Sequence, residues 1–295
     1  MRVLISGASG LVGTELIKQL AEAGHQPIKL VRRPAQALDE VAWNPSKGEL
    51  DPEVVESVDA VVNLAGATTG KIPWTKKYKQ EIVNSRLDST RTLVNAINQA
   101  KNPPKVLVSG SASGFYGEGG DRWLTEDSPK GEGFLSDLAN DWEQEALRAN
   151  TRVVLARTTL VMSRKKGALG PLLPLIKLGV GGPLGSGKQY WAWINIVDEA
   201  AAIIHLINNE QTSGAYNLTA PEPATCEEMI HGLGKALGRP TWFRIPEFLM
   251  KLFIGEAAEE LLLVSQKMTA NKLMASGFRF RYPDLNSSIK WVVQK

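Results

Sequence analysis

Residues 2–33, RVLISGASGLVGTELIKQLAEAGHQPIKLVRR, decide the fold. Val3, Leu4 and Ile5 form a short apolar run that stops at Gly7, the pattern of a strand buried on both faces. From Leu11 to Ala23 the apolar residues Leu11, Val12, Leu16, Leu20 and Ala23 recur at helical spacing. After the turn Ala23–Gly24–His25 a second apolar run follows, Ile28–Leu30–Val31. Strand, glycine turn, helix and strand make one βαβ unit, which is right-handed and parallel.

The turn reads Gly7-Ala-Ser-Gly10-Leu-Val-Gly13. In a dinucleotide site one such glycine makes the tight turn, one lets the backbone approach a pyrophosphate, and one lets helix and strand pack closely. The helix beginning near Leu11 aims its free N–H groups and positive dipole end at that pyrophosphate. Where the second strand ends, a site for NAD places an acid to hold the ribose 2′-hydroxyl. This chain has Arg32 and Arg33 there, and its next acid is Asp39. Guanidinium forks pair with a phosphate dianion, so NADP(H) is expected over NAD(H).

Further along, Asp59–Gly66 holds a buried strand that runs into a glycine turn. Strand C-termini form the ligand crevice of a doubly wound sheet, which puts Asn63, Leu64, Ala65 and Gly66 beside the dinucleotide. A long polar helix is expected from Trp74 to Ala100, and Val106–Val108 is the fourth buried strand. A Gly-, Asp-, Glu- and Pro-rich surface loop follows at 118–133, then a helix from Leu135 to Leu147 and a fifth strand at Val153–Ala156. A short strand at Val41–Trp43 stands apart from these five. The fold class is therefore α/β, a Rossmann-type doubly wound parallel sheet. Beyond Arg157 the alternation stops. A short helix is expected at 169–178, helices at 200–207 and 225–237, and a short strand at Tyr216–Leu218. The expected division is a cofactor domain over 1–165, to which segments around 190–218 return, and a smaller, mostly helical substrate lobe over 166–295.

Composition narrows the function. The 295 residues carry a net charge of +3, with 43% hydrophobic and 22% charged residues, so nucleic acid is not an expected partner. No apolar stretch reaches the ~18 residues of a membrane span, and Met1 leads straight into a strand. The single cysteine, Cys226, fits a reducing compartment, and His25, His205 and His231 are too scattered to ligate a metal. A cytoplasmic, metal-free protein acting on a small molecule, with neither membrane nor nucleic-acid partner, is expected. Gly182–Lys188 matches the G-x-x-x-x-G-K phosphate loop, but Gln189 lacks the hydroxyl that would hold Mg²⁺.

GASGLVG at 7–13, NLAG at 63–66, NSRLDSTRTLVNAI at 84–97 and SASGFYG at 111–117 resemble the extended short-chain dehydrogenase/reductase superfamily, nearest its NAD(P)-dependent epimerase/dehydratase group. WEQEA at 142–146, GGPLGSGKQYWAWI at 181–194, NLTAPEP at 217–223 and GFRFRYP at 277–283 resemble the "epimerase family protein" branch, which has a short C-terminal domain of its own. The resemblance implies a Rossmann core, NADP(H) and a C-terminal substrate lobe. It implies that Gly7, Ser9, Gly10, Leu11 and Val12 hold the pyrophosphate and Arg32 the 2′-phosphate. Leu64 and Ala65 would line the adenosine and ribose side, Glu81 and Arg86 reach in from the long helix, and Leu160 lie by the nicotinamide.

The superfamily's acid/base is a tyrosine in Y-x-x-x-K on the helix after the fourth strand, its lysine lowering the tyrosine's pKa. Here Phe134 or Leu135 takes the tyrosine position, and Leu138 or Ala139 the lysine position. The dyad is absent. Ser111, Ser113 and Tyr116 remain as catalytic candidates, although a phenol near pKa ~10 needs a cation beside it to act at neutral pH. Trp191, Trp193 and Asn195, on a predicted strand facing the crevice, are candidates for substrate contact. Two readings follow: an NADP(H)-dependent oxidoreductase or epimerase without the usual dyad, or a non-catalytic NADPH-binding sensor or regulatory protein.

Overall fold

Eleven short strands and their connecting helices were traced in a computed structural model that describes residues 1–164, 167, 169–170 and 172–294. The strands are β1 (Arg2–Ser6), β2 (Gln26–Val31), β3 (Glu40–Ala42), β4 (Ala60–Asn63), β5 (Val106–Ala112), β6 (Trp123–Leu124), β7 (Arg152–Thr158), β8 (Leu160–Met162), β9 (Trp193–Asn195), β10 (Gly214–Leu218) and β11 (Lys267–Met268). Seven of them form one parallel sheet in the order β10-β7-β5-β4-β1-β2-β3. The sequence reading put five strands in this sheet. The two more are its edges, β3 and β10, which match the short strands expected at Val41–Trp43 and Tyr216–Leu218 but not counted among the five.

From β1 the chain winds outward through β2 to β3, then returns to β4 on the other side of β1 and winds away through β5, β7 and β10. The reversal lies between β1 and β4, and it opens the ligand crevice at their C-terminal ends. The helices are α1 (Leu11–Glu22), α2 (Pro52–Glu56), α3 (Lys76–Gln99), α4 (Phe134–Ala146), α5 (Leu172–Lys177), α6 (Ile196–Asn208), α7 (Cys226–Leu237), α8 (Glu247–Ile254), α9 (Glu256–Ala258), α10 (Asn271–Ala275) and α11 (Leu285–Val293). Alternate residues of each strand meet different layers. Val3, Ile5, Val62 and Val108 pack with Leu16 and Leu20 of α1 and Ile203 of α6. Leu4, Val61 and Leu107 pack on the opposite face with Leu93, Val94 and Ile97 of α3. Both faces are covered, which is why these strands read as unbroken apolar runs.

A second core joins Met162, Trp191, Trp193, Met229, Leu233, Met250 and Ile289 from the later segments. Helix α7 within it begins at a reciprocal cap, Thr225 accepting from the Glu228 backbone N–H while Glu228 accepts from Thr225. Two short parallel ladders, β8 with β9 and β6 with β11, fasten this region to the loops at the sheet's C-terminal edge. Among the described residues no helix is long and apolar enough to cross a membrane.

Candidate functional site

Gly7 has φ +68° and stands against the chain leaving β4; a Cβ there would lie 2.4 Å from the Leu64 carbonyl oxygen. Gly13 does the complementary job inside α1, where a Cβ would lie 2.4 Å from the Gly7 carbonyl oxygen. The turn therefore closes only on glycine at both places. Gly10, the residue before α1, offers no side-chain cap, and the first turn of α1 carries no acid. Its leading N–H groups thus have no carboxylate competing for them, and Ser9 and Gly10 are exposed at the crevice with Leu11 and Val12 half-buried. This is an anion cradle of the kind that takes a pyrophosphate.

At the end of β2, Arg32 is exposed and has no hydrogen-bond or ion-pair partner among the described residues. Arg33 does have one: its fork donates to both Glu40 carboxylate oxygens at 2.8 Å. That fork, helped by the Gln36 N–H, holds the Glu40 carboxyl at about 2. Of the two arginines, Arg32 is the one with an uncommitted guanidinium, and it borders a hollow with Trp43, Asn44 and Asp51. Asn63 is fully buried and wholly engaged, accepting from Ser6 Oγ at 2.6 Å and donating to Thr90 Oγ1 at 2.8 Å. It fixes the reversal between β1 and β4, while Leu64 and Ala65 stay half-buried and Gly66 exposed.

Gly66 is pressed by the Arg86 side chain, whose guanidinium carbon is 3.1 Å from where a Cβ would stand. Arg86 donates to the Ala67 and Ile82 carbonyls at 3.0 Å and lies 5.3 Å from the Trp142 ring centre. It has no acidic partner among the described residues, and burial pulls its pKa down to about 10. Glu81, one turn back on α3, is exposed. Leu160 is half-buried at the start of β8, its N–H donating to the Ala192 carbonyl.

The residues proposed for catalysis are divided by their bonding. Ser111 donates to Glu143 Oε1 at 2.6 Å, and Arg157 grips both Glu143 oxygens, Nε at 2.8 Å and Nη2 at 2.9 Å. Arg157 Nη1 donates to the Tyr116 hydroxyl at 2.8 Å, and that hydroxyl donates to Asn217 Oδ1 at 2.7 Å. The Arg157 guanidinium also stacks 3.6 Å from the Phe115 ring centre. This chain of buried bonds ties together β5, α4, β7, β10 and the turn after β5. Burial pushes the Tyr116 phenol up to about 12 despite the adjacent Arg157, and the residue is 3% exposed. In this arrangement Tyr116 braces the turn after β5. Ser113 differs: half-buried, it has no partner for its hydroxyl among the described residues.

On α4, Leu138 and Ala139, the two alternatives expected at the lysine position, are both buried. The N-terminus of α4 is occupied from outside by Glu260, whose two oxygens accept from the Phe134 and Leu135 N–H groups at 3.0 and 3.2 Å. Between that carboxylate and the turn after β5 lies a cleft of about 260 Å³, bordered by Gly114, Gly117, Glu132, Lys251, Glu260 and Gln266. Gln266 donates to the Ser113 carbonyl at 2.9 Å and so ties the two walls.

Trp191, Trp193 and Asn195 do not line this cleft. They lie 4%, 0% and 0% exposed in the second core. Trp191 Nε1 donates to the Leu262 carbonyl, and Asn195 both accepts from the Val197 N–H at the start of α6 and donates to Ser288. A strand buried on both faces has no wet side, which is the reason the expectation fails. Sequence reasoning also missed two acids. Glu143 sits in a helical stretch that reads as solvated, yet is 4% exposed. Glu199, in the first turn of α6, is 0% exposed, accepts from Thr158 Oγ1 at 2.7 Å through Oε1, and has no partner for Oε2 among the described residues. Burial pushes its pKa up to about 8. The apolar neighbours in INIVDEAAAII were the available signal. Cys226 is buried, and desolvation pushes its thiol to about 11, which suits no nucleophile.

Residues 3–219 match the model of the NAD dependent epimerase/dehydratase family, and residues 245–292 match a domain of unknown function, DUF1731. The chain is 35% identical over 300 residues to epimerase family protein SDR39U1 of Homo sapiens, covering 99% of this chain and 100% of that one. An epimerase family protein of Mycobacterium leprae is 36% identical over 296 residues, covering 99% and 96%. Among solved structures, human SDR39U1 (isoform 2) with NADPH superposes with a TM-score of 0.92 at 33% identity, covering 99% of both chains. A nucleoside-diphosphate sugar epimerase of Corynebacterium glutamicum gives a TM-score of 0.82 at 30% identity, covering 99% of this chain but 58% of that one.

Proposed function

This chain belongs to the NAD dependent epimerase/dehydratase family, and we propose that it binds NADP(H) and acts on a small molecule as an oxidoreductase or epimerase. The observation that carries the cofactor is the uncapped, acid-free N-terminus of α1 behind Gly7 and Gly13, together with the unpaired Arg32 at the end of β2. That donor set matches a pyrophosphate and a 2′-phosphate. The relative crystallised with NADPH supports the same reading.

A bound nicotinamide would supply hydride transfer. The rest falls to this chain's residues. Ser113 offers the free hydroxyl at the C-terminal end of β5 and hydrogen-bonds a substrate oxygen. The Ser111–Glu143–Arg157–Tyr116 brace holds that turn still, and the cleft beside Glu260 receives the remainder of the substrate. Calorimetric titration with NADPH, NADP⁺, NADH and NAD⁺ tests the cofactor: preference for the phosphorylated pair, lost in Arg32→Ala, supports it, and equal binding of all four overturns it.

A second reading has its own support. With Phe134 or Leu135 at the tyrosine position, Leu138 or Ala139 at the lysine position and Tyr116 held neutral, the chain would sense NADPH without turnover. Cofactor oxidation coupled stoichiometrically to any carbonyl substrate would end that reading.

A further inference from the structure

We propose that the cleft between the turn after β5 and the C-terminal lobe takes a substrate bearing a protonated amine, and not a nucleoside diphosphate. The proposal rests on the reading of that cleft as the substrate's place, given above. Glu118, Glu132, Glu247, Glu259 and Glu260 border it, and Lys251 is the one cation among the described residues that do. That lysine is already matched, its Nζ bridged to Glu247 and to Glu259 at 2.8 Å. Glu132 is exposed and has no partner for its carboxylate among the described residues. Glu118 accepts from the Gly120 and Ser265 N–H groups, and Glu260 from those of Phe134 and Leu135. No cationic side chain among the described residues offsets either one.

Gln266 points to a ligand independently of these charges. It is 7% exposed, and its Nε2 donates to the Ser113 carbonyl at 2.9 Å and to the Gly117 carbonyl at 3.2 Å. Two carbonyl oxygens fix which end of the amide is the donor, since a flipped amide would set oxygen against oxygen. Oε1 is therefore the open end, an acceptor on the cleft's wall with no partner among the described residues. Buried side-chain polar atoms are nearly always hydrogen-bonded, so this oxygen marks the place of a donor that the chain does not supply. The carboxylates beside it are acceptors too. An ammonium brings three donors and no acceptor, whereas a phosphate brings more acceptors and more negative charge and is held by cations.

The cation is organic. Among the described residues no group of three or more His, Cys, Asp or Glu could hold a metal ion, so these carboxylates are spread around the cleft and do not converge on one point. A volume of about 260 Å³ also lies below the roughly 300–1,000 Å³ of sites for drug-sized ligands, which suits a small amine better than a nucleotide sugar. Gln266 joins the two ends of the arrangement, because it holds the Ser113 carbonyl with one end of its amide and opens to the cleft with the other. The substrate's oxygen is then left to Ser113 and its ammonium to the carboxylates and Gln266 Oε1.

Saturation-transfer NMR of the full chain, with and without NADPH, tests this with benzylamine, benzyl alcohol and benzoate, which share a ring and differ in charge. Benzylamine is expected to bind about tenfold or more tightly than the other two, and UDP-glucose is expected not to displace it. Glu132→Gln combined with Glu259→Gln should weaken benzylamine by on the order of tenfold and leave benzyl alcohol as it was. Should that pair misfold by circular dichroism, each single variant supplies the same readout at about threefold. Glu210→Gln, exposed on the turn between α6 and β10, should change nothing. Equal binding of the three probes, a preference for benzoate, or no amine signal at all overturns the proposal. Displacement of the amine by UDP-glucose, or by Ca²⁺ at equal concentration, overturns it as well, and so does an amine preference that survives the substitutions. NADPH is titrated separately by calorimetry. If NADPH fails to bind while the amine preference holds, the cofactor reading falls and the amine site stands; if NADPH binds and the preference is missing, only the amine site falls.

Discussion

Glu199→Gln is expected to flatten the dependence of stability on pH. Glu199 is fully buried in the first turn of α6, with one oxygen held by Thr158 and the other unpartnered among the described residues. Its folded pKa stands at about 8, pushed up by desolvation and pulled back only by the Thr158 hydroxyl; no charged side chain shapes it. In the unfolded chain a glutamate titrates near ~4.3. Below that pH both states hold the proton and the neutral carboxyl's contribution is complete. As pH rises past it, the unfolded chain releases the proton while the folded protein keeps it, so stability falls by about 1.4 kcal/mol per pH unit until the folded group ionises. The loss between about pH 5 and pH 8 is on the order of 4 kcal/mol. Glutamine has the shape of the protonated acid and does not titrate. Urea unfolding of both proteins across that range measures the difference, in which other titrating groups cancel. The variant should match the wild type near the acid end and exceed it by several kcal/mol at the alkaline end. A constant difference across the range would refute the buried, neutral carboxyl.

Arg157→Ala removes the partner of a carboxylate that is 4% exposed, and a loss of about 3–5 kcal/mol in denaturant unfolding is expected. Tyr116→Phe breaks the hydroxyl's bonds to Arg157 and Asn217 and should cost about 1–3 kcal/mol in the same assay, while NADPH affinity by calorimetry stays at the wild-type value; a large loss of affinity would mean that the phenol meets the cofactor. Arg32→Ala should reduce NADPH affinity by roughly tenfold to a hundredfold and leave NADH unchanged. Arg33→Ala, whose guanidinium is already matched by Glu40, should change NADPH affinity several-fold less in the same titration.

What could be read from the sequence divides along a physical line. Local rules reach β1, the glycine turn and α1, because apolar periodicity and glycine spacing lie within a few residues of one another. They reach the central strands too, since two covered faces leave an unbroken apolar run. They do not reach pairings set by the fold. Arg33 looks free until β3 brings Glu40 beside it, and Tyr116 looks available until β10 brings Asn217 from a hundred residues on. Trp191, Trp193 and Asn195 fail for a related reason. An amphipathic residue's type states what it can bond, whereas the layer packed over it decides whether anything but protein reaches it.

The same distinction bears on the candidate catalytic residues. In this chain the polar groups near the end of β5 are bonded to one another: Ser111 to Glu143, Glu143 to Arg157, Arg157 to Tyr116, Tyr116 to Asn217. Such a closed buried network tolerates no missing member, because each deletion strands a desolvated partner. The one titratable hydroxyl in this network, Tyr116, is buried with its pKa pushed up to about 12, which disfavours its acting as a base at neutral pH. For the turnover proposed above, we therefore look for proton-handling groups outside this network. Ser113, half-buried at the end of β5 with no partner for its hydroxyl among the described residues, and Glu260, which lines the cleft and keeps lone pairs beyond its two backbone donors, are the candidates. Substitutions within the brace should then register as lost stability, and substitutions at Ser113 as lost turnover in a protein of wild-type stability. The reverse pattern would return catalysis to Tyr116.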